Sequence, residues 1–132
     1  MIGLDTNILV RFVVRDDLRQ GESVKTSFAI SQKKGKYLFI SNVVVLELLY
    51  VLESVYDYTR VEIVNAINAL LKNNIFKFEN HNLLSEFINL SKTTNLELSD
   101  LLVGLISKHA GCRITITFDK LDSKFNLFKL LS

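Results

Sequence analysis

The sequence predicts an α/β domain in which a mainly parallel sheet carries helices on both faces, and three observations predict it. Short β-rich runs alternate with longer segments of helical periodicity along the whole chain, the pattern of strand–helix–strand units. The 132 residues suit one compact domain, taken as 1–132, with little room for a second. Hydrophobic side chains make up 48% and charged ones 23%, so a core can form without disulfides and dominant disorder is not expected. Right-handed crossovers are expected for that topology.

Met1 to Leu4 is a short apolar run that ends at Asp5 and reads as the first strand. From Thr6 onward Ile8, Leu9, Phe12 and Val13 fall at helical spacing, with Asp5 or Thr6 as the N-cap. Asp16-Asp17 opens a second amphipathic helix through Leu18, Val24, Phe28 and Ile30, and Lys33-Lys34-Gly35-Lys36 closes it with positive charge and a glycine. Tyr37 to Ile40 reads as a buried strand, followed after Ser41 by a helix from Asn42 or Val43 to about Tyr56. Thr59-Arg60-Val61-Glu62 is a capping box for a helix reaching about Lys72.

Ile75 to Phe78 is the third strand candidate, and Asn82 to Thr94 is amphipathic through Leu83, Leu84, Phe87, Ile88 and Leu90. Ser99-Asp100 begins a further helix that Gly111 ends. Arg113 to Phe118 is the fourth strand, terminating in Asp119, and the tail holds a turn and one last apolar run, Leu127 to Leu131.

Four carboxylates stand where the surrounding pattern does not ask for them. Asp5 and Asp119 lie just past the C-terminal ends of the first and fourth strands, where open parallel sheets bind ligands. Glu47 interrupts Val43 to Leu52, a segment apolar nearly all round, and a carboxylate buried there needs a metal ion or a hydrogen-bond network. Asp100 opens the apolar run Leu101 to Ile106. Taken singly, each has a bland reading: Asp5 and Asp100 as caps or first-turn acids, Asp119 as a turn residue, Glu47 as a surface acid or a partner of Arg11 or Arg113. Taken together, they favour a common site.

A carboxylate cluster without histidine or cysteine selects a hard cation, magnesium or manganese, and phosphodiester hydrolysis is the reaction such a site serves most directly. His81 is expected to cap or begin a helix and His109 to sit near a helix C-terminus; neither stands at zinc-ligand spacing from Cys112. With the four acids set aside, basic side chains outnumber acidic ones by six, a surface suited to a polyanion. Arg11, Arg15 and Arg19, with Lys120 and Lys124, are candidates to line a groove for such a polyanion, although each reads first as part of a solvated face.

Ile2 to Leu9 (IGLDTNIL) resembles the opening of PIN domains, and especially of VapC-type toxins. Ser41 to Leu52 resembles their second acidic motif, Asp100-Leu101-Leu102-Val103 the third, and Thr117-Phe118-Asp119-Lys120 the fourth, in order over essentially the whole chain. The resemblance implies a PIN-like three-layer sandwich and a magnesium- or manganese-dependent endoribonuclease, with transfer RNA a common target class. It implies Asp5, Glu47, Asp100 and Asp119 as the metal-binding quartet, Asp5 and Asp100 first among direct ligands, and Glu47 as general base or orienter of water. Thr6 and Asn7 would shape the pocket and Thr117 support it. Asp122 could contribute at the rim but reads first as a surface acid, and Leu102 and Gly104 depart from the commoner isoleucine and alanine with an effect on packing only. The family pattern further implies a homodimer inhibited by a VapB-like antitoxin, in a type II toxin–antitoxin system.

Other classes fit less well. Cys112 is alone and reads as buried and structural, which argues against disulfides and against a catalytic thiol. No targeting signal or unbroken membrane span is legible, so a cytoplasmic location is expected. A haloacid-dehalogenase phosphatase needs an aspartate and a threonine where Asn7 and Leu9 stand, and a receiver domain needs paired acids after the first strand. A PIN fold acting as a scaffold without catalysis is the rival reading; the presence of all four acids argues against it.

Overall fold

The computed structural model describes residues 1–15 and 17–131. The expected role of Asp16 at the start of the second helix lies outside those residues. Contacts divide the chain into two compact units, Met1–His81 and Asn82–Ser132.

In the first unit the order is β1 (Ile2–Gly3), α1 (Thr6–Val14), α2 (Leu18–Lys33), β2 (Leu38–Ile40), α3 (Asn42–Ser54), α4 (Arg60–Lys72) and β3 (Phe76–Phe78). All three strands are parallel, in the order β1-β2-β3, with Ile2 opposite Leu38 and Leu38 opposite Phe76. Each pair of neighbours is joined through two helices, the long connection that parallel pairing requires. Short polar side chains set the helix starts. Asp17 Oδ1 accepts from Gln20 N at 3.0 Å, and Ser41 Oγ accepts from Val44 N at 3.2 Å. The capping box is present: Thr59 Oγ1 accepts from Glu62 N at 3.2 Å and Glu62 Oε1 from Thr59 N at 3.0 Å.

Burial follows the helical stripes, with Leu9, Ile40, Leu48, Leu52 and Ile67 fully inside. Phe12, Phe28 and Phe76 form an aromatic triangle with ring centroids 5.0, 5.6 and 5.7 Å apart, tying α1 and α2 to β3. Those phenylalanines therefore serve the interior of this unit. Leu18, by contrast, is well exposed.

The second unit holds α5 (His81–Ser91, beginning at the boundary), α6 (Leu98–His109), β4 (Thr115–Thr117), a 3-10 turn (Asp122–Lys124) and β5 (Phe128–Leu130). β4 and β5 are parallel, with Thr115 opposite Phe128, so the last apolar run is a strand. Glu86 on α5 accepts from Lys108 Nζ at 2.7 Å and lies 3.4 Å from His109 Nε2, joining α5 to the C-terminal turn of α6. Gly104 lets α6 approach β5: an added Cβ would lie 2.8 Å from Phe128 Cζ.

Two expectations change here. The parallel pairing and flanking helices are as expected, but the strands form a three-stranded and a two-stranded sheet of two- and three-residue ladders, less than the central sheet foreseen. Cys112 is exposed, because the chain turns at Gly111 with φ of 105° and β4 starts only at Thr115. Among the described residues no helix is long and apolar enough to cross a membrane.

Candidate active site

In the first unit the site begins where β1 stops. Leu4 N still donates to Phe39 O at 2.9 Å, and Asp5 then takes an extended conformation as the N-cap of α1. Asp5 Oδ1 accepts from Thr6 N at 2.9 Å, which leaves the other carboxylate oxygen clear of the cap. Thr6 is buried, and its hydroxyl donates to Glu47 Oε1 at 3.0 Å. One threonine thus holds two carboxylates 42 positions apart in sequence: its amide engages Asp5 and its hydroxyl engages Glu47. Beside them Asn7 lines a cavity of about 670 Å³ together with Ile8, Arg11, Arg19, Gln20 and Ser23.

Glu47 is exposed, on a side of α3 shared with the exposed Val43 and Tyr50. The argument that α3 buries a carboxylate in an apolar environment is therefore corrected. The helix hides Val44, Val45, Leu48, Leu49 and Leu52 and turns Glu47 outward, so burial does not compel a metal at this residue.

In the second unit Asp100 lies in the first turn of α6, where the helix dipole favours an acid. Thr117 Oγ1 at the end of β4 accepts from Asp119 N at 3.0 Å. Asp119 Oδ1 accepts from Leu121 N at 2.8 Å and from Asp122 N at 3.0 Å, which folds the chain back into the 3-10 turn. Carboxylate oxygens of Asp100, Asp119 and Asp122 come within 4.8 Å of one another.

Asp122, expected as a surface acid, is buried instead. It is 6% exposed whereas its neighbour Leu121 is 69% exposed, the reverse of what hydropathy asks. No sequence signal beyond the three-residue spacing from Asp119 points to it. Burial first, then the hydrogen bond and charge of Asp100, with smaller contributions from Asp119 and Glu97, push its carboxyl from 3.8 up to about 6.

A raised folded value means that the folded chain holds this proton more tightly than the unfolded one. Without a cation, the contribution of this group is most favourable below about pH 4 and is lost as pH rises through about 6. Asp122→Asn should remove that decline. In EDTA at pH 7 the variant should gain ~1–3 kcal/mol over wild type, and the two should converge near pH 4. Urea midpoints across that range check it, and parallel curves would refute the assignment.

The chemistry of these groups is uniform. Oxygen donors gather without histidine or cysteine, a set that fits a hard divalent cation such as magnesium or manganese. Carboxylate-held cations of this kind serve phosphoryl chemistry.

Comparison with known proteins agrees with that chemistry. The family described as PIN domain matches residues 2–124. A protein named VapC ribonuclease, from Aquifex aeolicus (strain VF5), is 26% identical over 117 residues, covering 89% of this chain and 86% of that relative.

Proposed function

Since the chain belongs to the PIN domain family, we propose that it is a metal-dependent endoribonuclease, the toxin of a type II toxin–antitoxin pair. The carrying observation is the carboxylate grouping: Asp100, Asp119 and Asp122 within 4.8 Å in one unit, and Asp5 and Glu47 held by Thr6 in the other. The VapC ribonuclease name of the relative supports the reaction class.

In this reading residues 1–132 act as one nuclease domain with the three-layer PIN arrangement. Asp5 and Glu47 in the first unit and Asp100 and Asp119 in the second are the acids of the reaction, with Asp5, Asp100 and Asp119 as the side chains that would hold magnesium or manganese. That cation supplies Lewis acidity toward a phosphoryl oxygen and makes water a better nucleophile. Glu47 takes the proton of the attacking water at Oε2, because Thr6 occupies and orients Oε1. The exposed amide of Asn7 donates to a phosphate oxygen, and Thr117 keeps Asp119 aimed by accepting its backbone N–H. Transfer RNA is the proposed substrate class, the cytoplasm the proposed location, and the working form a homodimer held in check by a VapB-like antitoxin.

Purified protein, freed of antitoxin, should convert total transfer RNA into discrete fragments in magnesium or manganese. EDTA should stop the reaction, and Asp100→Asn should not support it. Cleavage that persists in EDTA sinks the metal dependence. No cleavage in any metal, with antitoxin binding retained, would favour a scaffold without catalysis.

A further inference from the structure

We propose that the open face of the β4–β5 sheet binds single-stranded RNA, with the Phe118 ring stacking on a base beside the scissile phosphate. The inference rests on the ribonuclease reading above and deepens it, naming the form of RNA and a residue that selects it.

Alternation along the strands carries the argument. Successive side chains of a strand point to opposite faces of its sheet. Thr115 and Thr117 share one face with Phe128, which is buried and lies against Gly104 of α6. Ile116 and Phe118 therefore share the other face. Register sets Lys129 opposite Ile116 there, and Leu131 N donates to Thr117 O at 2.9 Å, which brings Leu131 level with Phe118. This second face is open: Ile116 is 62% exposed, Phe118 79% and Leu131 50%, and Lys129 is exposed between them. Of the nine phenylalanines, Phe118 alone is exposed; the others are buried or half-buried. Its side chain makes no ring contact among the described residues.

Charge identifies the occupant. Lys129 lies within the face, Lys120 directly follows Asp119, and Arg113 precedes the strand. All three are exposed, and none has an acidic partner among the described residues. Protein interfaces are depleted in lysine, whereas an aromatic ring flanked by cations is how single-stranded nucleic acid is held, with bases on the ring and phosphates on the charges. Bases in a duplex stack on one another and offer no free face, so the arrangement favours an unpaired segment. Position agrees with charge. The Cα atoms of Phe118 and Asp119 lie about 3.8 Å apart, and Asp119 is among the acids proposed to hold the cation. A strand of RNA crossing the C-terminal end of β4 brings its scissile phosphate to one residue and a flanking base to the other.

The chain has no tryptophan, so Phe118→Trp places a single fluorescent reporter at this point. The test uses the full chain in Mn²⁺ with Glu47→Gln as the common background, so that RNA is bound and not cut. The probes are an oligouridylate of about 12 nucleotides, its duplex with oligoadenylate, and total transfer RNA. Phe118→Ala should weaken oligouridylate binding by at least about fivefold, and Phe118→Leu should not restore it. Phe118→Trp should restore it, with its fluorescence quenched as the base stacks. Duplex binding should change less than about twofold, and melting should stay at the background value because the ring is exposed. Unchanged oligouridylate affinity in Phe118→Ala overturns the proposal, as does binding of transfer RNA without oligouridylate; both leave the ribonuclease reading standing. Unchanged RNA affinity with a smaller assembly in gel filtration would assign the face to a second copy of the chain instead. No binding of any RNA by the background protein would sink the ribonuclease reading itself, and this proposal with it.

Discussion

RNA cleavage should fall by about 10²–10³-fold in Asp5→Asn while the melting temperature stays at the wild-type value. The two halves of that expectation have separate causes. Asparagine caps helices as well as aspartate does, and its amide oxygen can accept from Thr6 N as Asp5 Oδ1 does at 2.9 Å. Asp5 is exposed, so the change leaves no buried group unpaired. What is lost is the negative charge on the oxygen that the cap does not use, the one proposed to hold the cation. A gel assay on transfer RNA in Mn²⁺, with thermal melting alongside, measures both. Equal cleavage by the variant would assign the activity to another pocket or to a contaminant. Glu47→Gln is a useful companion, since its amide oxygen can keep the Thr6 hydrogen bond while losing the ability to take a proton.

Gly104→Val should destabilise the protein by about 3 kcal/mol and loosen Mn²⁺ binding as well. The new Cβ alone would sit 2.8 Å and 3.0 Å from ring atoms of Phe128 and 3.3 Å from Leu127 Cδ1. Phe128 is buried and belongs to β5, whose ladder with β4 resists displacement, so α6 must give way. Asp100 lies one helical turn before Gly104 on the same side of α6. A helix pushed off β5 therefore carries Asp100 away from Asp119 and Asp122. Urea denaturation in EDTA reads the first effect and an Mn²⁺ titration reads the second. An unchanged midpoint would mean that the Phe128 ring yields freely.

Much of the fold was legible because local chemistry and periodicity agree. The capping box at Thr59 and Glu62, the glycines at 35 and 111 and the apolar stripe of α1 each mark an element within a residue or two. Helix ends were less legible: α3 stops at Ser54 and α5 at Ser91, where tertiary packing and not propensity decides. β5 was hidden in a run too short to distinguish strand from helix.

At the site, the positions of Asp5 and Asp119 just beyond their strands follow from the pattern of apolar runs. Glu47 was singled out for a burial it does not have, and the bond that positions it comes from Thr6, 41 residues earlier. Asp122 was opaque because its burial depends on a turn made by Asp119 and on no property of its own neighbours in sequence.

The division of the chain at residue 81 has a consequence during synthesis. A ribosome releases residues 1–81 first, and with them the whole β1-β2-β3 sheet and the Thr6–Glu47 link. A nascent chain at that stage holds Asp5 and Glu47 but none of Asp100, Asp119 or Asp122. Because domains fold progressively as they emerge, the last carboxylates arrive only when the final 3-10 turn has cleared the exit tunnel. The proposed cation centre therefore cannot assemble while only residues 1–81 have emerged.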